Sequence, residues 1–314
     1  LQRALPPRNK NKKVVRIGRR ARVVGPSTHY FRLTIVANYL GFLAAKISPA
    51  DKDGTHAKKM VERLKANRPS KPNRSASDRD EVHLDEDVID YVANALKPGS
   101  SLNPAKEYAI QLRNMLMFVI LRVTGMRRGE LLNLKTTDLD FSDNTLRIMR
   151  RPDSIEDPRA HQPTAKTLQR TIPLSPELMS EIYEYITRFR NKLPTAKKHG
   201  YLFVTHKRGP TQGRALSIPA FQKWIGSVAS IAEGSGIRAH ALRHHWNYSF
   251  SLNMDSKSVS PEKEQKIRSY LMGWEETSGT ARIYNKRHIK QKAAESVLEL
   301  QNKHMNKNGQ GAAK

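Results

Sequence analysis

Hydrophobic positions repeat with a helical period over most of this chain. Pro26-Ser27-Thr28 has the form of a helix start, and Val36, Tyr39, Leu40, Leu43 and Ile47 follow at helical spacing. A second amphipathic helix is predicted from about Thr55 to Asn67, with Met60, Val61 and Leu64 on one face. Arg68-Pro69-Ser70-Lys71-Pro72-Asn73-Arg74-Ser75 breaks the period and reads as a linker. Beyond it, helices are predicted from Leu84 to Leu96, from Ala105 to Thr124 and from Pro176 to about Phe189. Short strands are predicted at Thr145–Arg150, Thr171–Leu174 and Leu202–Val204, with a turn over Asp140–Asn144. Helices fill most of the rest, and Lys290–Leu300 places Ala293, Ala294, Val297 and Leu298 on one side. That side docks either on its own domain or on a neighbouring subunit. The expected class is α+β and mainly helical. A domain with a small antiparallel sheet (residues 81–305) follows a small, partial helical domain with its linker (26–75).

Composition adds a partner. Lys and Arg total 56 against 29 for Asp and Glu, a formal charge of +27. An excess of that size repels itself unless a polyanion offsets it, and nucleic acid is the commonest polyanion. Residues 1–25 form a basic tail without an acid, and Arg16, Arg19, Arg20 and Arg22 are its candidate DNA contacts. The same tail also reads as a solvated extension. Residues 306–314 read as a flexible C-terminal tail. The longest apolar run, Met115–Leu121, lies between Arg113 and Arg122. It is far below the roughly 20 residues that span a bilayer, so no membrane association is expected. The absence of cysteine excludes disulfides and thiolate metal sites and fits a reducing cytosol. The chain opens on Leu1 rather than Met, which reads as a truncated N-terminus.

Four constellations carry chemistry. In Thr124-Gly125-Met126-Arg127-Arg128-Gly129-Glu130-Leu131, Gly125 suits a left-handed helix cap and a new helix begins near Arg127. Backbone N–H groups and a guanidinium then meet where a phosphate can sit, with Arg128 beside them and Glu130 steadying Arg127. In His240-Ala241-Leu242-Arg243-His244, one helix face carries both histidines and the arginine: a planar fork for phosphate oxygens beside a proton relay. Histidines four apart also match zinc spacing, but no glutamate lies between them and no cysteine exists, so no metal is expected. Leu271-Met272-Gly273-Trp274 precedes Thr280-Ala281-Arg282-Ile283-Tyr284, and Lys166 precedes the Thr171 strand. Taken singly, each of these also reads as an ordinary surface or core feature.

In this order the boxes resemble the tyrosine recombinases, the phage integrase family, over about residues 81–300. The resemblance implies a mostly helical catalytic domain preceded by a helical core-binding domain, the two clamping a DNA duplex. It implies cleavage and rejoining of DNA at specific recombination sites through a covalent phosphotyrosine, with no cofactor. Arg127 and Arg243 would hold the scissile phosphate, assisted by His240. Lys166 would protonate the leaving 5′ oxygen, and Tyr284 would attack. Trp274 occupies a position that is His in most members, Glu130 supports the Arg127 region, and His244 stands beside the second Arg. Trp274 and Tyr284 are ten residues apart, one more than is common in the family. A homotetramer on DNA, accessory DNA-bending proteins and a cytoplasmic, nucleoid-associated location are further expectations from the resemblance. A type IB topoisomerase uses similar residues, but Thr-Gly-Met-Arg-Arg-Gly-Glu favours the recombinases. An inactive DNA-binding protein would carry the same charge without needing every box filled. An RNA-binding protein explains the charge and not the ordered boxes.

Overall fold

A computed structural model describes residues 24–47, 54–70, 84–151, 154, 157–163, 167–275, 293–294, 296–299 and 301. The chain divides into two compact units, Leu1–Ala76 and Ser77–Lys314. In the first, α1 (Pro26–Ile47) packs on α2 (Thr55–Ala66). The seam is close: a Cβ on Gly41 would lie 2.5 Å from Val61 Cγ2. Arg68 closes the pair by stacking over Tyr30, 4.5 Å from the ring centroid, where its charge meets the negative ring face. Two helices share one seam, here built on Ala37 and Gly41. Much of the apolar periodicity of α1 therefore stays outside it, and Tyr39, Leu40 and Ile47 are exposed.

In the second unit, α3 (Glu86–Ala95) is capped by Asp85, whose side chain accepts from Asp87 N. Helix α4 (Tyr108–Thr124) is apolar nearly all round, and most of its residues are buried, as befits a helix at the centre of a core. Helix α5 (Arg128–Leu132) follows directly. The sheet has the order β1-β2-β3 and is antiparallel, with β1 Leu139–Asp140, β2 Thr145–Ile148 and β3 Arg170–Pro173. Leu146 pairs Ile172 and Ile148 pairs Arg170, so the strands turn these four residues inward and expose Arg147 and Thr171. Three further helices begin on a serine cap with a proline at the first or second helical position, which fits a first turn whose N–H groups lack helical partners. They are α6 (Pro176–Glu184), α7 (Ile218–Ala229) and α9 (Pro261–Met272). Helix α8 (Ala239–Ser256) runs between the last two and lies against α4.

One expected strand is absent from the sheet. Leu202, Phe203 and Val204 are buried, but they pair only at points: Tyr201 bridges Lys135, and Val204 bridges Ala215. A short continuous apolar run shows that a segment is covered on both faces, not that a ladder flanks it. The third strand is Leu139–Asp140, so Asp140 is a strand residue and not part of the turn. Helix α4 starts at Tyr108, three residues later than its periodicity predicts, because Gln111 Nε2 donates to Ala105 O (2.7 Å) and holds the preceding loop off the helix. The regular α-helix of α6 ends at Glu184, and a wider turn carries the chain on to Phe189.

Candidate active site

The Arg127 box is a corner between two helices. Gly125 ends α4 at φ 60°, and its Cβ would meet Trp246 Cγ at 2.9 Å and Met272 Cε at 3.1 Å. Arg127 caps α5. Its backbone N–H, expected to be free for a phosphate, donates instead to Glu130 Oε2 at 2.9 Å. The Arg127 guanidinium lies 3.9 Å from Glu130 Oε1 and stays partly exposed. Arg128 is half-buried as the first residue of α5.

The second box opens α8. Arg243 is buried and donates from Nη1 to Gly125 O (2.7 Å), so the second box grips the first directly. Its guanidinium carbon lies 5.4 Å from the Trp274 ring centroid, a cation–π contact. His240 stands exposed in the first turn of α8, its Nε2 2.9 Å from His244 Nε2. Partial burial, then the charges of Arg243, Arg127 and Arg238, lower the pKa of His240 and favour the neutral ring.

Beneath these residues lies a node that sequence reading missed. Arg170 and Glu130 form a fully buried ion pair at 2.9 Å. Thr167 Oγ1 donates to Glu130 Oε1, and Arg170 Nε donates to Leu271 O at 2.6 Å. Burial alone would raise the Glu130 pKa. The Arg170 charge, with hydrogen bonds from Arg170, Thr167 and the Arg127 backbone, outweighs it and holds the carboxyl below its ordinary value. The same node seats the end of α9. Leu168 N donates to Gly273 O (2.9 Å) and Trp274 N to Ser269 O (2.9 Å), so helix-end carbonyls find donors. The signal for Arg170 was its register: it falls on the inward face with Ile172, and an inward charge calls for a buried partner. For Trp246, which covers Gly125, composition gave no signal.

Gly273 offers a direct check. At φ 63° a side chain is strained, and its Cβ would lie 2.7 Å from both Leu168 O and Arg170 Nη1. Gly273→Ala is expected to lower stability by about 1–2 kcal/mol for the left-handed backbone alone, with the clash adding to it. Urea unfolding reads the change, and an unaltered midpoint would mean that the corner relaxes freely.

The structure thus brings Arg127, Glu130, His240, Arg243, His244 and Trp274 to one region of the second unit. Lys166 and Tyr284 lie outside the described residues, as do Arg16, Arg19, Arg20 and Arg22. Among the described residues no group of three or more His, Asp or Glu is placed to hold a metal ion, and no helix is long and apolar enough to cross a membrane.

The model of the phage integrase family matches residues 84–291. The chain belongs to the phage integrase family. Its match covers the whole sequence from α3 through Tyr284. Over 203 residues this integrase-family chain is 27% identical to the tyrosine recombinase XerC-like protein of Caldanaerobacter subterraneus subsp. tengcongensis, covering 59% of this chain and 48% of that protein. Over 143 residues it is 27% identical to tyrosine recombinase XerD of Halalkalibacterium halodurans, covering 45% of this chain and 42% of that one. The chain spans about half the length of the curated relatives it matches. Among solved structures it is distantly similar to XerH site-specific recombinase bound to a palindromic difH substrate, with 20% identity, a TM-score of 0.49, and 83% of this chain and 71% of that one covered.

Proposed function

We propose that this chain carries the catalytic part of a site-specific DNA recombinase that cuts and rejoins duplex DNA through a 3′-phosphotyrosine, as in integration, excision or transposition of a mobile element. The observation that supports it most is the direct grip of Arg243 on Gly125 O, which joins two arginine boxes 118 residues apart at one corner. Arg127 and Arg243 would face the non-bridging oxygens of the scissile phosphate, and neither loses its proton at any working pH. They would stabilise the charge that gathers in the transition state. The neutral His240 ring would share that task, His244 orienting it.

In the forward step the Tyr284 oxygen forms a bond to phosphorus and the bond to the 5′ oxygen breaks. The phenol proton leaves to a base, and Lys166 supplies a proton to the departing 5′ oxygen. The phosphotyrosyl ester keeps the energy of the broken phosphodiester, so a 5′ hydroxyl from another strand reseals it without ATP. The first unit would serve as part of a core-binding domain, with a homotetramer on two sites and DNA-bending proteins completing the assembly.

Incubation with a library of degenerate duplexes in excess EDTA, followed by denaturing recovery of protein-linked DNA, tests the reading. Covalent fragments sharing one sequence are expected, because two guanidiniums take the role a metal plays in other phosphoryl-transfer sites. Their absence under EDTA, with linkage restored by a divalent ion, would overturn the metal-free mechanism. Absence under every condition would leave a DNA-binding protein without this chemistry.

A further inference from the structure

A cleft of about 970 Å³ lies elsewhere on the second unit, between the chain after α5 and the turns after α6. Lys135, Arg190, Lys192, Lys197, Lys198 and His199 line it, and none of its described lining residues is acidic. It shares no residue with the group around Arg127, His240 and Arg243. Arg190 forms part of the wall and is buried. It donates to Tyr201 O (2.8 Å), Ala196 O (3.0 Å), His199 O (2.7 Å) and Asn191 Oδ1 (2.9 Å). Those four acceptors are neutral. They satisfy the guanidinium's geometry and leave its charge uncompensated, which is costly in a protein wall unless an anion stands nearby. Lys192, Lys197 and Lys198 are exposed on two successive tight turns, Arg190–Lys192 and Pro194–Lys198, and pair with no described acid. Their mutual repulsion acts in the same direction. His199 is fixed as a neutral ring: its Nδ1 accepts from Tyr201 N (3.2 Å), so the proton sits on Nε2, 2.9 Å from Gly213 O. The cleft therefore has a hydrogen-bonded neutral floor at His199, one buried cation and a rim of exposed ammonium groups. Ammonium groups bind phosphate as point charges without demanding one geometry, which suits a repeating backbone better than a single shaped ligand.

We propose that this cleft is a second phosphate-binding site, which holds the sugar–phosphate backbone of DNA at a point away from the phosphodiester being cut. The ligand follows from the nucleic-acid side of the function proposed above, and the cleavage chemistry is not needed for it.

The test uses the full chain with Lys192→Gln, Lys197→Gln and Lys198→Gln combined, three exposed changes outside the proposed catalytic group. Binding to a long duplex is measured against salt. Each neutralised phosphate contributes about 0.9 to the log–log slope, so the slope is expected to fall by roughly 2–3. Because the chain has no cysteine, Lys198→Cys gives a unique thiol for a photo-crosslinker, which is expected to label the duplex. An unchanged slope without crosslinking overturns the proposal. Crosslinking blocked by millimolar inorganic phosphate, with the slope unchanged, would make the cleft a site for free anions and overturn the DNA assignment. A lower slope in a chain that forms no covalent complex would sustain the cleft and reject the recombinase mechanism alone.

Discussion

Tyr284→Phe is expected to bind its recombination site with unchanged affinity and to form no denaturant-resistant DNA complex at all. The change removes one oxygen, the one that would bond to phosphorus, and leaves ring volume and charge at neutral pH as they were. A phenol with a pKa of about 10 is mostly protonated at pH 7, so a competent tyrosine must sit where cations stabilise its phenolate. The structure sorts the other tyrosines by that criterion. Tyr185 is buried, its hydroxyl bound to His206 Nε2 at 3.0 Å, and burial pushes its pKa up to about 12. Burial also raises the pKa of Tyr201. Burial thus moves both away from ionising at neutral pH. Tyr270 is exposed on α9, close in sequence to Trp274, and Tyr248 lies on α8 beyond Arg243. If the covalent complex survives in Tyr284→Phe, peptide mapping of the linked DNA would be expected to find one of those two, and the nucleophile would have to be reassigned.

The arginine boxes were legible because their chemistry and their local structure use the same residues. Gly125 announces the left-handed corner from which the Arg127 box starts, whereas the close approach of Trp246 to it is visible only in the structure. The start of α6 was legible for a similar reason: Ser175 caps it and Pro176 follows in its first turn. Pairing across the sheet was less so. Periodicity reports which face is covered and not which segment covers it. Leu202–Val204 thus read as a strand when it is held by single bridges on either side. The support beneath the site was hidden for another reason. Glu130 lies beside Arg127 in sequence and was read as its partner, yet its closest ion pair is with Arg170, forty residues away. A carboxylate that burial has cut off from water goes to the cation with which it can share a dry pocket, and sequence spacing does not reveal that choice.

Glu130→Gln should therefore destabilise the protein far more than a change near a surface arginine would. It leaves Arg170 charged in a site that is closed to solvent, and breaking a buried pair from one side costs about 3–5 kcal/mol. The pH dependence has a definite sign. The folded Glu130 pKa lies below its unfolded value of roughly 4.3. Its stabilising contribution is present above that unfolded value and is lost as pH falls through the lower folded one. Glu130→Gln should flatten this acid limb of the stability curve. Glu130→Leu combined with Arg170→Met separates stability from positioning. Replacing both charges with apolar groups of similar size should recover most of the lost stability. It should not recover cleavage, because Arg127 N and Leu271 O lose the partners that fix the Arg127 corner and the end of α9. A misplacement of about 1 Å at a reacting centre can lower rate by roughly 10²-fold. The double variant should therefore fold near normally and form covalent complexes about a hundred times more slowly, with DNA affinity little changed. Full activity in that stable double variant would show that the node merely fills space, and that Arg127 and Arg243 keep their geometry without it.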